Sequence, residues 1–143
     1  MQFVRLILAA LAAGAEFVVS PICHPEIPSI CRAANKPCLL GAITPTEAQR
    51  AYELGADFVK LFPADNLGPA YIKALRAPLP HLKIVPTGGV DLKTIGDFFK
   101  AGCPAVGVGG SLVSAKLLQA GDWAGLTKLA AQFVEAANKA KSA

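Results

Sequence analysis

The segment GADFVKLFP at residues 55–63 indicates the fold most directly, because a glycine suited to ending a helix is followed at once by a β-rich run. The same junction occurs earlier as GAEFV at residues 14–18, and a looser copy, GCPAV, lies at residues 102–106. Helical, alanine-rich sequence precedes the first two copies. The repeat therefore predicts a helix-to-strand junction that recurs along the chain.

Strands are predicted directly after the glycine of each copy of the repeat, and two further strands are predicted at residues 37–43 and 82–86. One helix is predicted before residue 14. The others are predicted at residues 26–35, 46–54, 69–75, 92–101 and 123–141. Thr46 is the expected N-cap of the third helix, with Gln49 completing a capping box.

Five strands that alternate with helices imply right-handed crossovers and a parallel sheet. The sheet is expected to be either open and doubly wound or part of a (β/α)₈ barrel. A charged content of only 17% suits such a fold, because parallel strands are apolar on both faces. The 143 residues are expected to form a single domain.

The charge of the chain gives little information about its partners. There are 14 Lys and Arg residues against 10 Asp and Glu residues, with a net charge of +4, yet basic residues never occur three in a row. Nucleic acid is therefore not predicted as a partner. The scattered positive charge fits an anionic small substrate, or no ligand at all.

The cysteines and the N-terminal segment bear on the compartment. Cys23, Cys31, Cys38 and Cys103 lack the spacing of zinc or redox sites, so we expect no metal and reduced, mostly buried thiols in a cytoplasmic protein. Residues 1–15 resemble a short secretory signal but are too short to span a membrane. The repeat favours a helix that leads into the first strand.

Small and polar residues follow the last three predicted strands, at residues 62–65, 86–90 and 107–111. Parallel α/β folds bind their ligands at these carboxyl ends. The glycines at 88–89 and the run Gly109-Gly110-Ser111 could offer bare backbone N–H groups to an anion such as phosphate. The alternative is that these glycines only form tight turns.

Lys60 interrupts an otherwise apolar strand, and the two-residue period places it on one face with Phe58 and Phe62. An ammonium there would be desolvated, which lowers its pKa and favours the neutral amine. A neutral lysine can form a Schiff base with a ketone. The alternative is a lysine on a solvated strand face.

Three motifs, FVKLFPA at 58–64, PTGGV at 86–90 and VGVGGSLV at 106–113, resemble in order the sixth, seventh and eighth strand motifs of the KDPG aldolases. Residues 17–21 and 37–45 are similar to the fourth and fifth strand segments. This family comprises class I aldolases, including bifunctional 4-hydroxy-2-oxoglutarate aldolases. The resemblance implies a TIM-barrel-like α/β fold with about five of the eight strands in this chain.

The resemblance also implies a reaction and the residues that perform it. Lys60 would be the catalytic Schiff-base lysine, which cleaves 2-keto-3-deoxy-6-phosphogluconate to pyruvate and glyceraldehyde 3-phosphate, or 4-hydroxy-2-oxoglutarate to pyruvate and glyoxylate. No cofactor would be needed. Thr87 would hold the carboxylate and Phe62 would pack on the keto acid. The phosphate would be bound by Gly88, Gly89, Gly109, Gly110 and Ser111.

Other family features have no match. The first three β/α units of the family, which carry a proton-transferring glutamate and a carboxylate-binding arginine, would precede this region. The carboxylates of Glu16, Glu47, Asp57 and Asp65 do not occupy the position of that glutamate. Because five strands leave two sheet edges and one apolar inner face uncovered, we expect a homo-oligomer. Because no positioned base is identified, we expect it to form the imine without full turnover. The alternative is a catalytically impaired, self-associating barrel fragment that at most binds phosphate or keto acids.

Two remaining residues are assigned structural positions. His81 lies in a predicted turn and is expected to be solvated, whereas Trp123 is expected to anchor the last helix to the core.

Overall fold

A computed structural model describes residues 2–142 of the chain. Within these residues, the strands are β1 (Val18–Val19), β2 (Cys38–Ala42), β3 (Phe58–Leu61) and β4 (Ile84–Pro86). The helices are α1 (Gln2–Ala12), α2 (Ile27–Ala33), α3 (Pro45–Glu53), α4 (Gly68–Arg76), α5 (Ile95–Lys100), α6 (Ala115–Gln119) and α7 (Trp123–Lys141).

The strands form one sheet in the order β1-β2-β3-β4, and the β1–β2 and β2–β3 pairs are parallel. In register, Val18 pairs with Cys38, and Leu39 pairs with Phe58. The predicted fifth strand is reduced to a single parallel bridge between Thr87 and Gly107. The expected α/β class of parallel β/α units is confirmed.

Five helices end in the manner that the repeat predicts. Each terminal residue has a positive φ, and the residue after it donates its N–H to a carbonyl five residues back. Gly14, Gly55 and Gly102 are the three glycines of the repeat. Gly121 and Asn35 use the same geometry, with φ values of 62° and 53°. The predicted helix at residues 26–35 ends at Asn35, but the left-handed conformation of Asn35 was not predicted, because asparagine adopts it less readily than glycine.

The predicted N-cap of α3 was wrong by two residues. Thr44 is the cap: its hydroxyl accepts the N–H of Glu47, and the Glu47 carboxylate accepts the N–H of Thr44 in return. Pro45 explains the difference, because it favours an extended residue before it and is itself well suited to the first helical position. Thr46 lies inside the helix.

The prediction for Trp123 was also wrong, because its side chain is 66% exposed. Trp123 is the first residue of α7, and the buried residue of this helix is Phe133.

His81 is exposed as expected; its Nε2 lies 2.9 Å from the Gln49 Oε1 atom. The short helix α6 was not predicted.

The chain divides into two compact units. Among the described residues, the first contains residues 2–62 together with Leu79–Ile84, and the second contains Pro63–Pro78 and residues 85–142. Buried aliphatic residues fill the core of each unit, among them Ile27, Leu40 and Leu61 in the first and Ile72 and Ile95 in the second. That the chain is a single domain stays a prediction.

Candidate active site

Lys60 and Phe62 lie together on one face of β3 and its continuation. The Lys60 Nζ atom is 4.5 Å from the centroid of the Phe62 ring. Val59 and Leu61 point the other way and are 2% and 0% exposed. The prediction that Lys60 and Phe62 share one face, made from the two-residue period of a strand, is therefore confirmed.

Two opposing effects act on the Lys60 amine. Partial burial lowers the pKa of Lys60, because desolvation disfavours the charged form. The face of the Phe62 ring favours the cation, since the ring quadrupole attracts an ammonium. Lys60 is half-buried and Phe62 is 41% exposed, so this face of the strand is partly open to solvent. This arrangement suits a nucleophile that must be both uncharged and reachable.

The turn after β4 contains Thr87, Gly88 and Gly89 in the second unit. Gly88 and Gly89 have φ values of 93° and 68°, so the backbone itself requires glycine at both positions. A Cβ atom on Gly89 would also lie 2.6 Å from Cα of Asp65. The glycine pair at 88–89 is thus explained by local structure.

Two residues that the sequence analysis missed hold this turn in place. The Asp91 Oδ1 atom accepts the N–H groups of Lys93 and Thr94, each at 2.8 Å. The Thr94 hydroxyl in turn donates to the Gly89 carbonyl at 3.1 Å. The hydrogen bonds from Thr94 and Lys93 lower the pKa of Asp91. The D-x-x-T spacing of a side-chain cap could have revealed this pair.

Gly107, to which the sequence analysis assigned no role of its own, makes room for Thr87. Its N–H donates to the Pro86 carbonyl at 2.8 Å, beside the bridge to Thr87. A Cβ atom on Gly107 would lie 2.6 Å from the Thr87 Oγ1 atom. Because glycine at 107 has no Cβ atom, the Thr87 side chain can occupy its observed position.

The run Gly109-Gly110-Ser111 differs from the other glycine turn. Its residues are exposed, neither glycine has a positive φ, and a Cβ atom on either would meet nothing within 4 Å. Within residues 2–142, the N–H groups of these three residues have no intramolecular acceptor. Neither backbone geometry nor packing thus requires glycine at 109 or 110. The open space and free donors could admit an anion.

Three of the four carboxylates considered as proton carriers have structural partners. Glu16 pairs with Lys36 at 3.2 Å, Glu47 caps α3, and the Asp57 Oδ2 atom accepts the Cys38 N–H at 2.8 Å. The hydrogen bonds from residues 43 and 44 lower the pKa of Glu47. Asp65 is exposed and accepts the neighbouring Asn66 N–H.

Neither a metal site nor a membrane span is found in the part of the chain that the structure describes. No cluster of three His, Cys, Asp or Glu side chains could hold a metal ion there. No helix there is long and apolar enough to cross a bilayer. All four cysteines are free; Cys31, Cys38 and Cys103 are buried as expected, and Cys23 is half-buried.

Parallel β/α units with glycine turns at the carboxyl ends of strands are typical of barrel-type α/β proteins. Comparison with known proteins places the chain within that class. A family model described as "Aldolase: KDPG and KHG aldolase" matches residues 4–129. The chain belongs to the KDPG and KHG aldolase family.

Individual relatives agree with this assignment. The 2-dehydro-3-deoxy-phosphogluconate aldolase of Treponema pallidum (strain Nichols) is 38% identical over 128 residues, which are 88% of this chain and 60% of that protein. A solved structure described as "Native KDPGal structure" is 33% identical with a TM-score of 0.86, over 97% of this chain and 66% of that one.

A further solved structure is the KDPG aldolase from Legionella pneumophila "with pyruvate captured at low pH as a covalent carbinolamine intermediate". It is 26% identical, with a TM-score of 0.70, over 83% of this chain and 58% of that one. The chain thus spans about 60% of the length of the first relative named above.

Proposed function

We propose that this chain carries the Schiff-base machinery of a class I aldolase and that Lys60 is its nucleophile. The observation that carries the proposal is the half-buried Lys60 amine, with its pKa lowered by burial, in a member of this aldolase family. The substrates proposed are 2-keto-3-deoxy-6-phosphogluconate and 4-hydroxy-2-oxoglutarate. The capture of pyruvate as a carbinolamine in the similar Legionella enzyme supports covalent chemistry.

The proposed reaction starts from the neutral amine. Lys60 Nζ attacks the C2 ketone to give a carbinolamine; the carbinolamine hydroxyl takes a proton from solvent and leaves as water, which gives a protonated imine. When the C3–C4 bond breaks, its electron pair moves into the imine to form an enamine, and the C4 hydroxyl loses its proton as the aldehyde forms. Protonation at C3 and hydrolysis then release pyruvate and regenerate the lysine.

We further propose that Gly109, Gly110 and Ser111 bind the substrate phosphate, and that Gly88 and Gly89 contribute to the same task. The free N–H groups of residues 109–111 and the unexplained glycines at 109 and 110 support this assignment. Thr87 is proposed to hold the carboxylate and Phe62 to pack on the keto acid. These roles follow the family resemblance residue by residue.

Reduction with borohydride in the presence of pyruvate tests the nucleophile. Peptide mass mapping should find the adduct on Lys60, and Lys60→Met should abolish it. Lys83→Met is the matched control, because Lys83 also lies over a phenylalanine ring, 5.7 Å from the Phe58 centroid. An unmodified Lys60, or an adduct that survives in the Lys60→Met variant, would refute the proposal.

A charge reversal tests the phosphate turn separately. Ser111→Asp should weaken binding of the phosphorylated substrate at least tenfold while leaving pyruvate trapping intact, because a carboxylate would repel the phosphate. Ser114→Asp, at the N-cap of α6, is the control. Equal affinity in the Ser111→Asp variant and the unmodified protein would remove the phosphate from this turn.

We expect imine formation without full turnover. General acid–base catalysis accelerates such reactions by about 10²–10⁴, and three of the four candidate carboxylates have structural partners. Single-turnover trapping and steady-state cleavage, measured on the same preparation, separate the two steps. A turnover number of about 1–10³ s⁻¹, as in ordinary enzymes, would contradict the expectation of slow turnover. It would also contradict the alternative that the chain is a catalytically impaired barrel fragment.

We also propose that the chain self-associates and acts in the cytoplasm. Apolar side chains are exposed on α1 and around β1, among them Phe3, Leu6 and Phe17 at 48%, 61% and 59%. These three side chains line one concavity, and contiguous apolar surface favours association. A monodisperse monomer in sedimentation at micromolar concentration would refute self-association.

The proposed cytoplasmic location is supported by the four free thiols, which are typical of a reducing compartment.

A further inference from the structure

A polar pocket of about 260 Å³ lies in the first unit, at the amino ends of β2 and β3. We call it the amino-end pocket and define it by Arg32, Asn35, Lys36, Gly55 and Asp57. These residues come from the end of α2, the end of α3 and the junctions that lead into the two strands. Two cationic side chains and one carboxamide thus converge on a single concavity.

The amino-end pocket is separate from Lys60. Asp57 directly precedes β3, whereas Lys60 is the third residue of that strand. The two side chains are three positions apart, so the alternation of the strand directs them to opposite faces of the sheet. The pocket therefore differs from the proposed Schiff-base site both in strand end and in sheet face.

The Arg32 guanidinium has unused donors. It lies against Gly55, where a Cβ atom would collide with its Nη2 atom. Arg76 has the same relation to Gly102 in the second unit, but its Nη1 atom donates to the Ala101 carbonyl at 3.1 Å. Among residues 2–142, the Arg32 side chain has neither a hydrogen bond nor an ion pair. A planar guanidinium placed in this way is suited to an oxyanion.

The other residues that line the amino-end pocket indicate which chemical groups a ligand needs. Lys36 pairs with Glu16 at 3.2 Å, and the Glu16 side chain is 84% exposed, so a ligand anion can compete for the ammonium. Asn35, held at φ 53°, adds a carboxamide donor. Asp57 uses its Oδ2 atom on the Cys38 N–H, which leaves Oδ1 to accept from a hydroxyl.

We propose that the amino-end pocket binds a small phosphate monoester that carries a hydroxyl group. Arg32, Lys36 and Asn35 donate to the phosphate, and Asp57 accepts from the hydroxyl. This site does not depend on the aldolase activity, because none of its residues takes part in the proposed Schiff-base chemistry.

Residue-resolved titration of ¹⁵N-labelled protein with glycerol 3-phosphate tests the proposal. The amide signals of Asn35, Lys36 and Gly55 should shift and saturate, whereas glycerol and sodium chloride at matched ionic strength should leave them unchanged. Arg32→Gln should weaken this binding about tenfold or more, since it removes a charge-assisted donor pair. Arg50→Gln, an exposed arginine of α3 outside the pocket, is the matched control.

The site-specific signals separate this proposal from the proposed function. Shifts confined to Gly110 and Ser111 would refute the amino-end pocket, as would equal affinities in the Arg32→Gln and Arg50→Gln variants. If Arg32→Gln fails to fold, Lys36→Gln replaces it, with the same expected loss. The pocket shifts should persist in the Lys60→Met variant, and their loss there would also refute a separate site.

Discussion

At the scale of single residues, two features surround the amine that is proposed to react. Burial lowers the pKa of Lys60, whereas the Phe62 ring, whose centroid lies 4.5 Å from the Lys60 Nζ atom, favours the cation. As the pH rises through this lowered pKa, the neutral fraction grows earlier than it does for an exposed lysine. Imine formation should therefore begin at a lower pH than is usual for a lysine.

Phe62→Leu should make Lys60 more reactive towards a small electrophile. Leucine keeps an apolar side chain beside the amine but lacks the ring quadrupole, which stabilises a cation by about 0.5–1 kcal/mol. We expect reductive methylation of Lys60 with formaldehyde at pH 8 to become about two to five times faster. Lys83, measured in the same sample, is the internal control. An unchanged or slower rate at Lys60 would show that the ring does not stabilise the ammonium.

The thiols should differ sharply in reactivity. Burial raises the pKa of Cys38 to about 11 and that of Cys103 to about 12, and Cys31 is only 1% exposed. Because the thiolate is the reactive form, an aromatic disulfide reagent at pH 8 should modify Cys23 first and the other three only on unfolding. Cys23→Ser should remove the fast phase. Two or more fast thiols would contradict the described packing.

At the scale of secondary-structure elements, the cap of α3 gives a direct test of the corrected helix start. Thr44→Ala should lower the free energy of unfolding by about 1 kcal/mol, because it removes the acceptor for the Glu47 N–H. Thr46→Ala, two residues on and inside the helix, should change it by less than about 0.5 kcal/mol. Urea unfolding of both variants gives the comparison, and a larger loss for Thr46 would restore the original assignment.

Two glycines should respond to alanine in opposite directions. A Cβ atom on Gly41, inside β2, would collide with the Pro21 carbonyl and lie 2.6 Å from the Ile22 nitrogen. A Cβ atom on Gly96, inside α5, would meet nothing within 4 Å. Gly41→Ala should therefore lower the free energy of unfolding by about 1–3 kcal/mol.

Gly96→Ala should raise the free energy of unfolding by up to about 1 kcal/mol, because alanine favours a helix. Thermal unfolding distinguishes the two substitutions by sign. A stabilised Gly41→Ala variant would mean that the segment at residues 20–22 does not cross so close to β2.

At the scale of the whole molecule, the exposed apolar side chains of α1 offer a test of self-association. Leu6→Lys should weaken association at least tenfold in sedimentation velocity, because burying an ammonium in an apolar contact is costly. Val134→Lys on α7 is a close control, since Val134 and Leu6 are both 61% exposed. Equal effects of the two substitutions would mean that α1 is not the contact.

Local sequence signals were sufficient for the parallel β/α pattern, the helix ends at Gly14, Gly55 and Gly102, and the shared face of Lys60 and Phe62. These features depend on the period of the strand and on the backbone freedom of glycine, both of which act between near neighbours in the chain. The motifs also identified the family, which the comparison confirmed.

Tertiary structure alone decided which glycines are required by close packing and which cations are unpartnered. Gly107 makes room for Thr87 and Gly41 for Pro21, and each contact joins residues that are distant in the chain. The exposure of Trp123 and the free guanidinium of Arg32 likewise depend on what the folded chain places beside them. No local pattern encodes such contacts, because van der Waals exclusion and hydrogen bonding act through space between atoms that only folding brings together.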